Sequence, residues 1–485
     1  MKVKKIVQNS IAFKLFSTKW YRALLIVGIL SFCTAYIPGL EKIKWWSSIN
    51  ESNSLSSSTA ELTVTTVKST FATLSLNWHT LLNNNNSPLW TTISEKELSC
   101  NNPYPIEDPS NNLSNFFEKL IETSKKKRIT RIVHYGDSLI AGDWVTSTLR
   151  DSFQREFGDA GPGFILPMKA WRWYGHKGLK LEAPNGWKVY RITRPPIYDN
   201  RYGLGGVTFV NRRRFVSFVI KRKYNLPPFP KNTIIQIFAE ASPKGGYFSL
   251  YLDKKLEAEF STISETKGTT FFVWNSSIPF RKLKIKVIKG RIRLYGIVFE
   301  YGKSGIVYDS LGILGAQFTH FLKMPSSHWL EQLKMRAPDL IIFHYGTNES
   351  ESKKFDKEKY YHDIKEILSM LKKNLPESSC LVLSPMDRAM RVSGGRFITM
   401  PIIKKIVETQ RKATLEVGCA FWNTFMAMGG EGAMARWGKM KPRLASTDYT
   451  HPTSRGAKKI AKMLFCSLIK AYHNYKNSKN SSDNK

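Results

Sequence analysis

The sequence predicts an α/β fold built on a parallel sheet and interrupted by a β-rich insert, and two patterns carry that reading. First, apolar strands at 129–135, 339–345 and 380–384 each follow a stretch of helical periodicity, at 116–121, 327–335 and 360–373. Helix followed by buried strand is the signature of a parallel sheet, whose strands are apolar throughout because helices cover both faces. A helix at 402–417, a short strand at 420–422 and a closing helix at 455–472 complete the layers. Second, the region 168–301 is different in kind. Short runs at 207–210, 215–220, 234–238, 247–252, 270–274, 283–287 and 292–299 alternate apolar and polar residues and are separated by turn signals. That is the pattern of a β-sandwich or jelly roll, placed inside the α/β domain rather than appended to it.

A chain of 485 residues exceeds what one core usually organises, so more than one domain is expected. Its 74 Lys and Arg against 38 Asp and Glu leave a formal charge of +36. Such a balance attracts a polyanion: nucleic acid, an anionic membrane face or an acidic envelope polymer. The insert carries 26 of the basic and 8 of the acidic residues, hence +18, half of the total. Five cysteines, Cys33, Cys100, Cys380, Cys419 and Cys466, show no CxxC pair or metal-ligand spacing, and the last three lie in apolar stretches that read as core. The expectation is no zinc site, no other metal and no disulfide framework.

The N-terminal residues 1–22 are basic, and 23–40 form an apolar run with only small or weakly polar interruptions. At 18 residues that run can just span a bilayer. The positive flank places the N-terminus in the cytoplasm and exports the rest. A cleaved signal peptide, giving a secreted protein, and a buried core helix are the alternatives; the long apolar run without a following A-x-A site favours an uncleaved single-pass anchor. Phe32 ahead of Cys33 spoils a lipoprotein-type cleavage box. Residues 41–112, rich in Ser, Thr and Asn, read as a spacer, and 476–485 as a frayed, disordered tail.

The chemistry concentrates in four places. Gly136-Asp137-Ser138 ends an apolar strand and starts a helix-like segment. A serine there stands at the sheet edge where ligands bind, in the field of a helix N-terminus. It becomes a nucleophile if a base reaches it; alone, the motif also describes an ordinary capped turn. In Asp448-Tyr449-Thr450-His451 the carboxylate can bond Nδ1–H of the histidine and leave Nε2 free to take the serine proton, although a lone DxxH also occurs in surface turns. Asn348, in Gly346-Thr347-Asn348-Glu349 at the end of another apolar strand, can donate to a developing oxyanion. Gly315, in the loop after the insert, can bring a backbone amide close to substrate, or serve a simple turn; Gly312 lies one turn away.

This ordered set resembles the four blocks of the SGNH (GDSL-like) hydrolase superfamily. The resemblance implies a three-layer α/β/α, flavodoxin-like domain at 113–167 and 302–475, around the insert at 168–301. It implies Ser138 as nucleophile, Asp448 and His451 as the rest of a triad, and an oxyanion hole made by the Ser138 amide, Gly315 and Asn348, with no cofactor and no metal. Two departures point to a subgroup: the third block ends Asn-Glu rather than Asn-Asp, and a β-rich domain follows the first block. Both resemble peptidoglycan O-acetylesterases and related envelope acetylesterases, as do Phe157-Gly158-Asp159-Ala160-Gly161, Asp309-Ser310-Leu311-Gly312 and Leu383-Ser384-Pro385-Met386-Asp387-Arg388. The expected activity is removal of O-acetyl groups from an envelope polysaccharide at the cell membrane. An O-acetyltransferase using the same triad is one alternative. A non-catalytic binder of an anionic polymer is another, with no nucleic acid expected because no nucleic-acid motif is present. Trp171, Trp173 and Tyr174 are candidates for either core or sugar stacking, Asp387 and Arg388 for the pocket rim. Arg212–Arg214 and Lys221–Lys223 read as a solvated face or a grip on an anionic ligand.

Overall fold

The computed structural model describes residues 100–483 except 195 and 353. The basic segment 1–22, the anchor 23–40 and the spacer as far as 99 lie outside the described residues. Among those described, no helix is long and apolar enough to cross a membrane.

The chain enters α1 (Ser114–Ser124), then β1 (Ile129–Gly136), α2 (Ser138–Ala141) and α3 (Trp144–Phe157). Eleven strands of the β-rich region follow: β2 (Gly163–Ile165), β3 (Leu179–Glu182), β4 (Trp187–Arg191), β5 (Val207–Asn211), β6 (Ser217–Arg222), β7 (Ile234–Ala241), β8 (Gly246–Leu252), β9 (Lys255–Ser261), β10 (Gly268–Asn275), β11 (Lys282–Gly290) and β12 (Arg293–Glu300). The chain then returns through β13 (Gly305–Gly312), α4 (Ser326–Arg336), β14 (Leu340–His344), α5 (Lys357–Asn374), β15 (Ser379–Leu383), β16 (Ala389–Arg391), β17 (Phe397–Thr399), α6 (Pro401–Glu416), β18 (Ala420–Trp422), α7 (Thr424–Ala427), α8 (Ala433–Lys439) and α9 (Ser454–Asp483).

Five parallel strands form one sheet in the order β13-β1-β14-β15-β18. Successive side chains on a strand face opposite ways, and the cores divide accordingly. Ile132, Leu340, Ile342, Leu381 and Leu383 join one core with α1, α3 and α9. Val133, Tyr135, Ile341, Phe343 and Val382 join the other with α4, α5 and α6. Two antiparallel sheets make up the β-rich region, β10-β7-β12-β5-β4 with β2 on β12, and β3-β6-β11-β8-β9. Phe248 of one meets Phe272 of the other with ring centroids 5.3 Å apart. On β11 the alternation turns Leu283, Ile285 and Val287 inward, while Lys282, Lys284 and Lys286 stay partly open to solvent. These three lysines thus lie on an outer face.

Five of the sequence expectations need correction. β2 pairs with β12, so the antiparallel sheet begins before residue 168. Residues 308–312, expected to be part of the loop that carries Gly315, belong instead to the edge strand β13; their Asp and Ser positions hid an otherwise apolar run. Residues 100–112 pack on the α/β domain instead of acting as spacer: Glu107 exchanges backbone bonds with Phe421, and Asp108 accepts from the amides of Asn112 and Leu113. Helix α9 runs to Asp483, through most of the expected tail, and its Tyr475 and Lys479 both reach Glu118 on α1. The cysteines also depart from expectation, since Cys100 pairs with Cys466 and Cys380 with Cys419. Separations of 366 and 39 residues left no local spacing to read.

A buried charge network joins the two parts. Arg336 of α4 reaches Asp309 of β13 at 2.6 Å and Glu300 of β12 at 2.7 Å. Arg131 of β1 grips both oxygens of Glu300, and the Phe164 amide of β2 donates to Asp309. Burial opposes ionisation of Glu300, but the two guanidiniums outweigh it and hold its carboxyl down at about 2. Arg336→Leu leaves two buried carboxylates without their shared counter-charge. Urea unfolding of the full chain should show a loss of about 3–5 kcal/mol, and a loss below about 1 kcal/mol would mean that the network is not structural.

Candidate active site

Three adjacent strands deliver the candidate residues to one end of the sheet. Gly136 at the end of β1 lies in register with Gly312 of β13 and His344 of β14. Ser138 follows the first of these by two residues, Gly315 the second by three and Asn348 the third by four. The two paired glycines permit α2 to sit directly on the sheet edge. A Cβ on Gly312 would lie 2.2 Å from the Ala141 nitrogen, and one on Gly136 would lie 2.4 Å from the Ile140 side chain. Gly312 is therefore a packing glycine. Gly315 stands in the open loop beyond it, at φ +70° and with nothing near the position of a Cβ.

Asp137 caps α2, its carboxylate accepting from the Leu139 amide at 2.9 Å. This cap places Ser138 as the first helical residue, so its own amide donates to no acceptor among the described residues. Ser138 Oγ lies 2.9 Å from His451 Nε2, and His451 Nδ1 lies 2.7 Å from Asp448 Oδ2. The other oxygen, Asp448 Oδ1, accepts from the backbone amides of Thr450 and His451, each at 3.0 Å. Burial raises this carboxyl, but the His451 side chain and those two amides outweigh it and hold it below its usual value. The carboxylate therefore stays charged, fixes the tautomer with Nδ1–H, and leaves Nε2 as a base toward Ser138. Local geometry supports the loop: Tyr449 adopts φ +49°, and the Ser446 amide donates to the His451 carbonyl. The triad is shallow, with the His451 side chain 35% and that of Asp448 50% exposed.

Asn348 and the Gly315 loop hold each other. Asn348 Nδ2 donates to the Ala316 carbonyl at 2.8 Å, and Gln317 Nε2 donates to the Asn348 carbonyl at 3.3 Å. The Gly315 amide, like that of Ser138, has no protein acceptor among the described residues. One N–H of the Asn348 amide group is committed to Ala316, which leaves the second as a donor. Three donors thus leave three neighbouring strand ends, the arrangement an oxyanion requires.

The sequence reading missed the role of Glu349, noting it only as a departure from the commoner Asn-Asp. It is buried, its Oε1 accepts from the Phe318 amide at 2.7 Å and the Tyr360 hydroxyl at 3.2 Å, and so it pins the far side of the Gly315 loop. A carboxylate directly after the donor asparagine, at an apolar strand end, was the available signal. Burial pushes Glu349 up to about 7 and Asp137 up to about 6. Asp387 and Arg388 do not touch the triad. Asp387 accepts from Thr399 and the Met434 amide, tying the β16–β17 hairpin to α8, while Arg388 holds the Thr347–Glu351 turn through the Thr347 carbonyl and Ser350. Trp171 and Tyr174 are core, whereas Trp173 is exposed. Arg212, Arg213 and Arg214 are exposed, and the first two border a groove of about 860 Å³ in the β-rich region, away from the triad. Among the described residues, no cluster of three His, Cys, Asp or Glu side chains could hold a metal ion.

No protein-family model and no curated protein matches this sequence. Solved structures do match. A peptidoglycan O-acetylesterase superposes with a TM-score of 0.66 at 21% identity, over 76% of this chain and 99% of its own. A family two carbohydrate esterase from Cellvibrio japonicus matches at 8% identity with a TM-score of 0.26, over 61% of this chain and 98% of its own. An acetyl xylan esterase matches at 15% identity with a TM-score of 0.26, over 34% and 80%. The first of these carries the structural argument: the chain shares the fold of that structure.

Two outcomes follow from the geometry. If Asn348 donates to an oxyanion, Asn348→Ala lowers kcat on an ester by about 10²–10³-fold without unfolding the chain; an unchanged kcat removes it from the site. Glu349 titrates above its usual 4.5 in the folded chain, so between pH 4.5 and 7 the folded state holds a proton that the unfolded state has released. Stability conferred by that proton is full below pH 4.5 and declines as pH approaches 7. Unfolding curves should therefore show wild type losing stability relative to Glu349→Gln across that interval, and a constant difference would show that Glu349 is ionised throughout.

Proposed function

We propose that this protein is a serine esterase that removes O-acetyl groups from an envelope polysaccharide resembling peptidoglycan. The observation that carries the reading is the continuous hydrogen-bonded chain Ser138–His451–Asp448 beside three backbone and side-chain donors. His451 Nε2 takes the proton of Ser138 as its Oγ attacks the acetyl carbonyl. The tetrahedral oxyanion forms within reach of the Ser138 amide, the Gly315 amide and Asn348. His451 returns the proton to the departing sugar hydroxyl, leaving acetyl-Ser138. Water, deprotonated by His451, then attacks the acyl carbon; the acyl–Oγ bond breaks, His451 returns the proton to Ser138 and acetate leaves. The likeness of fold to a peptidoglycan O-acetylesterase supports the substrate class. So does the openness of the His451 and Asp448 side chains above a buried Ser138, because a site open on that side admits a side group on a long polymer.

Placement outside the cytoplasm, held by the apolar segment 23–40, is part of this proposal. The pairs Cys100–Cys466 and Cys380–Cys419 support it, since disulfides persist in oxidising compartments.

The full chain should hydrolyse p-nitrophenyl acetate and release acetate from O-acetylated peptidoglycan. Ser138→Ala and His451→Ala should each lower kcat by on the order of 10⁴-fold or more while remaining folded by circular dichroism. An unimpaired Ser138→Ala variant, or a wild type inactive on every ester, would overturn the esterase. Activity on p-nitrophenyl acetate with no acetate from the glycan would keep the chemistry and reject the substrate class. Acetyl transfer to added oligosaccharide in preference to water would make the same triad a transferase.

A further inference from the structure

The helix that leaves the nucleophile and the segment that leads into the β-rich region each present an exposed indole. Trp144, the first residue of α3, is 42% exposed, and Trp173 is 48% exposed. Their rings are nearly parallel at 20°, with centroids 6.4 Å apart. Large aromatic side chains left this open, and together, mark a binding surface more often than a solvated face.

The pair stands at the catalytic end of the sheet. Helix α3 runs antiparallel to β13: Thr146 near its start shares a hydroxyl bond with Ser310 at 2.7 Å, and Asp159 just past its end bridges to Ile306. Its first turn is therefore at the edge that carries Ser138. The Trp144 ring folds back over Gly142, one residue beyond α2, where a Cβ would come within 2.9 Å of it. The indole thus leans toward the nucleophile's helix.

The base under the pair is rigid. Asp143, buried and at φ +59°, bonds Arg150 through both oxygens, at 3.1 and 2.6 Å, and accepts from the Thr146 hydroxyl at 2.7 Å. It also accepts from the Lys177 amide at 2.8 Å, so one carboxylate ties the turn bearing Trp144 to the stretch bearing Trp173. That stretch is further held by Tyr174, whose hydroxyl accepts from the Leu166 amide, and by the edge-to-face contact of Tyr174 with Trp171.

We infer that Trp144 and Trp173 form a stacking platform for a pyranose ring of the glycan chain, next to the sugar that bears the ester. The apolar C–H face of a pyranose packs on an indole, and a preformed pair offers that area at little cost in side-chain entropy. The inference rests on the proposed esterase: it adds a polymer subsite, with one indole contributed by the region that interrupts the α/β domain. A lipid surface is the other apolar partner for exposed indoles, but a fixed, mutually stacked pair beside a nucleophile suits a flat ring.

The test uses the full chain and its Trp173→Ala, Trp173→Phe and Trp144→Ala variants. On O-acetylated glycan strands, kcat/KM should fall at least ten-fold further than on p-nitrophenyl acetate, with the change in KM, and Trp173→Phe should recover most of it. Equal losses on both substrates would overturn the platform while leaving the esterase in place. So would loss of binding to anionic phospholipid vesicles with glycan kinetics intact. If wild type cleaves no ester, the esterase fails, and calorimetric titration with de-O-acetylated glycan strands still judges the platform. A dissociation constant raised ten-fold or more by Trp173→Ala supports it, and an unchanged or undetectable affinity rejects it.

Discussion

The Arg336 guanidinium is the joint on which the architecture depends. It sits fully buried between Asp309 of the edge strand and Glu300 at the exit of the β-rich region. Burying three charges is costly unless each finds its counter-charge and hydrogen bonds, and here the geometry supplies them, with Arg131 completing the shell of Glu300. The constraint is positional. β1, β12, β13, α4 and, through the Phe164 amide, β2 must all take their places for the network to close. An interrupted domain needs such a fixed joint, because its two halves are separated by the whole of the antiparallel region and would otherwise pair in register only through the strands themselves.

Register at that joint reaches the edge that carries the candidate site. Once β13 and β14 flank β1 with Gly136 opposite Gly312 and His344, the loops that follow emerge side by side. Ser138, Gly315 and Asn348 then follow three neighbouring strand ends. Local hydrogen bonds refine the result: Asn348 and Gln317 clasp the Gly315 loop from one side, and Glu349 holds the Phe318 amide from the other. The acid that does this is buried and raised toward neutrality, because burial disfavours its charged form. The opposite arrangement serves the base. Asp448 is half open to solvent and receives three donors, which keeps it charged beneath His451.

Much of this was legible in the chain. The α/β class followed from apolar strands such as 339–345 alternating with amphipathic helices, and the antiparallel region from runs like 283–287. Ser138, His451 and Asp448 were legible because their chemistry is local: a strand end with Gly-Asp-Ser, and a carboxylate three residues before a histidine. Other features were not. β13 carries Asp309 and Ser310 for the network and the α3 contact, and these polar residues broke the apolar run by which a strand is recognised. Residues 100–112 look like spacer because the groups that anchor them, the Glu107 backbone, the Asn112 side chain and Cys100, meet partners far along the chain that no local pattern reveals.

By itself, then, the sequence determined the order of elements, the candidate nucleophile and its base, and the distribution of charge, because periodicity and short motifs are properties of neighbouring residues. Only the tertiary structure decided that Gly312 packs under the short helix while Gly315 stands in an open loop, that Trp171 is core while Trp173 is open beside Trp144, that four cysteines pair, and that Glu349 holds the Gly315 loop. Each of these depends on contacts between segments distant in the chain, and burial and counter-charge at such contacts are set by packing, which no local pattern encodes.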